Sequence, residues 1–203
     1  DEVQDLTPMQ LKMATRRSLN GAMTIVGDLA QATGPLAPHD WDDVLAHLPD
    51  RKPSRVIGLS VGYRIPGQIM DLANRVAEVA TPGLRAPVSV RVGEVGPSIV
   101  PAPSGLELAP TVAAAVIEMS EAIPGASLGV VAPDAIMPEL SEALTAAGVN
   151  HGSATRTGLD AGVTLVPVSV VKGLELDGVV VVEPSRIVSD SEHGMRALYV
   201  ALT

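Results

Sequence analysis

Three runs in the second half of the chain, "SLGVVAP", "GVTLVPVSVVKG" and "GVVVVEP", constrain the fold more than any other feature. Each is apolar at successive positions, so a strand built from it turns apolar side chains to both faces of a sheet. Helical patterns lie between and after them: "APTVAAAVIEMSEAI", "DAIMPELSEALTAAG" with its Gly stop, and "SEHGMRALYVALT". Strands apolar on both faces, alternating with helices, predict an α/β fold with a mainly parallel sheet sandwiched by helices. Phe is absent and the chain has 1 Trp and 2 Tyr, so the core is built from Val, Leu, Ile, Ala and Met.

Upstream, Thr7-Pro8-Met9-Gln10 reads as a helix start with a cap, a first-turn proline and a capping-box glutamine. That helix is expected to reach about Arg17. "AMTIVGD" (Ala22 to Asp28) predicts a short buried strand, "WDDVLAHL" a helix and "RVIGLS" a second strand. "PGQIMDLANRVAEVA" (Pro66 to Ala80) predicts an amphipathic helix. A Pro/Gly-rich zone follows, with one strand in "PVSVRV" and turns and edge strands elsewhere. Around Ser60 to Pro66 the chain is expected to pass from one α/β unit to another.

Composition excludes several classes. Cysteine is absent, which removes disulfides and thiolate metal sites. His39, His47, His151 and His193 lack metal-ligand spacing. The formal net charge of −9 opposes binding through nucleic-acid phosphates. No apolar run approaches the roughly 18–20 residues of a membrane span, and no signal-peptide pattern is present. The expectation is a cytoplasmic protein with no membrane partner.

Four short stretches carry the chemistry. Singly, the acidic pair in "DEVQD" reads as a solvated surface feature and Gly27-Asp28 in "VGDLAQ" as a plain turn, while "VGYRIP" and "VKGLELDGVVVV" are more specific. Their order and spacing, with "RALYVALT" at the end, resemble the later motifs of the superfamily-one helicases of the UvrD/Rep type. "DEVQD" is similar to the acidic motif after the Walker B strand, "VGDLAQ" to the Gly-Asp-x-x-Gln motif, and "LSVGYRIPGQIMDLAN" to the Tyr-Arg motif. "VSVVKGLELDGVVVVEP" is similar to the Lys-Gly-Leu-Glu motif. The stretch from about Thr81 to His151 matches weakly. Within this group, "GDLAQATGPLAPHDWDDVL" resembles the HelD-type branch, whose members bind RNA polymerase and detach it from nucleic acid.

The resemblance implies a RecA-like fold, with residues 1–60 the end of a first motor domain and 61–203 a second, nucleotide lying in the cleft between such domains. It implies ATP and Mg²⁺. Asp1 would hold Mg²⁺ through water, and Glu2 would polarise the attacking water. Gln31 would sense the γ-phosphate and Arg64 would reach it. Tyr63 would stack on the base, Glu175 would accept from the ribose hydroxyl, and Lys172 and Gly173 would shape the turn before Glu175. Each has a plainer rival: a core aromatic for Tyr63, a surface ion pair for Arg64, a loop amide for Gln31 and a structural role for Lys172. Trp41 is expected to be a hydrophobic anchor rather than a base-stacking residue.

The family pattern also implies that the chain is a piece of a larger ATPase. Its phosphate loop would lie upstream of Asp1 and its final arginine beyond Thr203, so the piece alone is expected to be inactive. The leading expectation is an ATP-driven remodeller of RNA polymerase, with nucleic acid reached through the intact protein. Alternatives are a UvrD/Rep-type DNA helicase or repair translocase, and a noncatalytic docking module. The stretch after Gln31, "ATGPLAP", lacks the aromatic residues on which single-stranded bases stack, which favours the first over the second.

Overall fold

The computed structural model describes residues 1–49, 53–93, 95–102, 107–154 and 162–203. In chain order its regular elements are α1 (Pro8–Arg17), α2 (Trp41–Leu45), β1 (Val61–Gly62), α3 (Gly67–Ala80), β2 (Val88–Ser89), α4 (Leu108–Ala122), β3 (Leu128–Ala132), α5 (Met137–Ala146), β4 (His151–Ser153), β5 (Val163–Pro167), β6 (Gly178–Val181), α6 (Pro184–Ser189) and α7 (Gly194–Leu202).

The fold is α/β, and every strand pairing among the described residues is parallel. The main sheet runs in the order β4-β5-β3-β6, with β1 and β2 forming a separate two-stranded piece. Leu128 stands opposite Val163 on one side and Gly178 on the other. The period-two geometry of a strand then sorts the side chains. Leu128, Val130, Leu165 and Val182 join Val112 and Val116 of α4 and Leu140 and Leu144 of α5 in one core. Val131, Val166 and Val181 point the other way, into a core closed by Ala201 of α7. Both faces are covered by helices, which is why these strands read as continuous apolar runs. The expected strand after Gly162 is shorter than its apolar run: Val168–Val170 turns away as a 3-10 turn. β4 and α6 were not expected; neither carries a strong periodic signal.

The first residues follow their expected start closely. The Thr7 hydroxyl accepts from the Gln10 amide at 3.3 Å, and the Gln10 side chain accepts from the Thr7 amide at 2.7 Å, closing the capping box before α1. Val3, Leu11, Leu29 and Val44 form a small core with Trp41 packed against it, so Trp41 is the anchor expected of it. Two expected strands differ. Ala22 to Asp28 forms no regular element and pairs with no strand among the described residues, and Met23 and Val26 stay exposed. Its backbone contact is the Val3 amide donating to the Val26 carbonyl at 3.1 Å. "RVIGLS" likewise gives only the two residues of β1, just past its end. An apolar run becomes a strand only where a neighbour accepts its ladder hydrogen bonds. The end of the Pro/Gly-rich zone, 103–105, lies outside the described residues. No helix among the described residues is long and apolar enough to cross a membrane.

Candidate functional site

The site is built where three distant segments meet. The first is the acidic opening. Glu2 takes a left-handed backbone, φ 53°, unusual for a residue with a side chain. The Asp1 carboxylate accepts from the Glu2 amide at 2.9 Å, and both side chains are exposed. Gln4, only 2 % exposed, joins this segment to the next. Its amide nitrogen donates to Glu2 at 2.6 Å, and its amide oxygen accepts from the Asp28 backbone at 3.1 Å. Gly27 makes that approach possible, because a Cβ there would strike the Gln4 and Val3 side chains.

The second segment is Asp28 to Gln31. Asp28 caps a 3-10 turn over Leu29–Gln31 by accepting from Ala30 N–H at 2.9 Å. Burial raises the Asp28 carboxyl above its ordinary value, against the pull of the Ala30 amide and Lys172. Ala30 packs with Ala73 and Ala77 of α3 and Tyr199 of α7. Burial, with Asp28 nearby, pushes the Tyr199 hydroxyl up to about 12.

The third segment is the turn after β5. Lys172 extends its ammonium to both Asp5 carboxylate oxygens, at 2.6 and 2.7 Å, to the Gln31 carbonyl at 3.1 Å and to Glu2 at 3.3 Å. Gly173 follows with φ 81°, a left-handed turn that a side chain would strain. Glu175 then pairs with Arg64 at 3.5 Å, with the two side chains 80 % and 75 % exposed. Such a pair is worth about 0–1 kcal/mol, so it can be exchanged for a ligand at little cost. Tyr63, beside it, is 80 % exposed and is therefore not a core aromatic.

The structure thus brings Glu2, the Gln31 backbone and Lys172 together, and separately brings Arg64 to Glu175. Among the described residues Arg64 makes no ion pair with Asp1 or Glu2. Lys172 lies in the segment that follows β5, and Glu175 lies just before β6, whose first residue, Gly178, pairs with Leu128 at the start of β3. Sequence reasoning gave no role of their own to Gln4, Asp5 and Arg196, and read Asp28 only as part of a turn motif. Arg196 is 8 % exposed, and its guanidinium donates to the carbonyls of Ala32 and Pro38, each at 3.2 Å. Burial lowers its pKa from the ordinary arginine value. Its sequence signals were a lone cation in the apolar helix "GMRALYVAL" and its place at the head of "RALYVALT".

Among the described residues no group of three or more His, Cys, Asp or Glu side chains forms a metal cage. Asp1 instead offers one exposed carboxylate. That donor set fits Mg²⁺ held mostly by water and phosphate oxygens. The fold defines an α/β protein with parallel sheets. The chain matches no protein-family model, and no curated protein matches it at a significant level.

Proposed function

We propose that the chain is part of an ATP-driven motor of the HelD-like kind, RecA-like in fold, that binds RNA polymerase and releases it from nucleic acid. The observation that carries this reading is the meeting of Glu2 and Gln31 at Lys172, with 141 residues separating Gln31 from Lys172 in the chain. The UvrD/Rep motif pattern assigns those segments to one nucleotide site.

The roles are those that the resemblance implies. Glu2, oriented by the Gln4 amide, takes a proton from the attacking water. Gln31 donates to the γ-phosphate, and Arg64 leaves Glu175 to bring positive charge to it. Tyr63 stacks on the base, and Glu175 accepts from the ribose. Asp1 is the residue that would hold Mg²⁺ through water. When bound, Mg²⁺ offsets charge on the β- and γ-phosphates.

Polymerase is favoured over strand tracking by the stretch after Gln31. Trp41 is packed against the small core, and the Ala32 and Pro38 carbonyls are taken by Arg196, so no stacking platform stands there. The net charge of −9 suits a basic protein surface or a nucleic-acid channel.

The test uses the intact ATPase with single-stranded DNA, an overhang duplex and core RNA polymerase. Polymerase is expected to bind and to change the hydrolysis rate more than either DNA does, and Glu2→Gln is expected to trap ATP. DNA-stimulated unwinding without polymerase association would leave the UvrD/Rep-type helicase. Absence of nucleotide binding would leave a noncatalytic docking module.

A further inference from the structure

We propose that Lys172 and Arg196 are positioning residues that grip the Gln31 segment from two sides and set where Gln31 stands relative to Glu2. This rests on the motor reading above and adds two residues to it.

The grip is made on main-chain carbonyls. Lys172 donates to the carbonyl of Gln31 at 3.1 Å. Arg196 donates to the carbonyl of the next residue, Ala32, and to that of Pro38, both at 3.2 Å. One residue earlier, Ala30 is buried against α3 and Tyr199. Gln31 and Ala32 are thus held through their carbonyls by side chains 141 and 164 residues away in sequence. None of these contacts uses the Gln31 side chain, which hydrogen-bonds the Asp28 carboxylate beside it.

The two cations differ in a way that suits the task. Lys172 also binds Asp5 twice and reaches Glu2 at 3.3 Å, so one ammonium spans both the water-activating and the γ-phosphate-sensing segments. Arg196 is buried with carbonyl partners, where a fixed planar fork holds direction better than a flexible ammonium. A Gln31 shift of about 1 Å would be enough to cost on the order of 100-fold in turnover.

The test compares Lys172→Met, Lys172→Arg and Arg196→Lys in the intact ATPase with Ser141→Ala. Ser141 hydrogen-bonds His151 at 2.9 Å, outside the site, and serves as a purely structural control. Lys172→Met is expected to lower kcat by about 10- to 100-fold with little change in KM for ATP. Lys172→Arg is expected to recover part of that loss. Hydrogen exchange in residues 28–38 is expected to speed up in Lys172→Met and Arg196→Lys, and not in Ser141→Ala. Where the wild type hydrolyses ATP, an unchanged kcat in Lys172→Met, or unchanged exchange at 28–38 in the variants, overturns the positioning role alone. A wild type with no turnover, despite protected 28–38 amides, overturns the motor reading and the catalytic part of this inference with it.

Discussion

The main sheet and the segments before it are made from similar apolar residues and end up in opposite states. In β3, Leu128, Val130, Val131 and Ala132 are all buried. In the stretches nearer the start, Val26, Val56, Ile57, Leu59, Val61, Val88, Val90 and Val92 are exposed. The difference lies in neighbours. β3 has a parallel partner on each side and helices over both faces, whereas among the described residues β1 and β2 pair only with each other. Two-stranded pairing by itself is marginal, and apolar composition does not supply the missing ladder.

The largest test of this contrast puts a charge in each place. Val131→Asp buries an unpaired carboxylate between β5 and β6 and should cost more than about 4 kcal/mol, abolishing a cooperative melt. Val90→Asp, on exposed backbone after β2, should stay within about 0.5 kcal/mol by denaturant titration. Equal losses would mean that the exposed valines are covered in solution.

A smaller effect is expected where the acidic opening meets "VGDLAQ". Gly27→Ala would push against Val3 and the Gln4 amide, costing about 1–3 kcal/mol. Gln4 can swing aside more easily than Val3, so the loss should appear mainly as faster hydrogen exchange over residues 2–6. A variant with wild-type exchange there would show that the close approach is not maintained.

The smallest effect concerns pH. The Asp28 carboxyl is raised above 3.8 by burial, so its protonated form is favoured in the folded protein. Its stabilising contribution is full below 3.8 and is lost as pH rises through the raised value. Asp28→Asn keeps an oxygen for the Ala30 amide and should flatten that decline in a series of melts across mildly acidic pH. A steeper decline in the variant would sink this account of Asp28.

What the sequence determined by itself was local. The capping box at Thr7, helices α3, α4 and α5, the buried strands β3 and β5 and the half-buried β6 follow from nearest-neighbour chemistry and periodicity. Such patterns are written within a dozen residues. The sequence also nominated Glu2, Gln31, Tyr63, Arg64, Gly173 and Glu175, but by resemblance and not by physical necessity. Tertiary structure alone decided which of them meet. For Lys172 the sequence leaves a structural and a direct role open, and tertiary structure places its ammonium on Asp5, 167 residues away. Gln4 and Arg196 were ordinary polar residues in sequence, and burial made them junctions. Tertiary structure also decided that Ala22 to Asp28 is no strand. A strand's hydrogen bonds belong to its neighbours, and no property of those seven residues says whether a neighbour will be there.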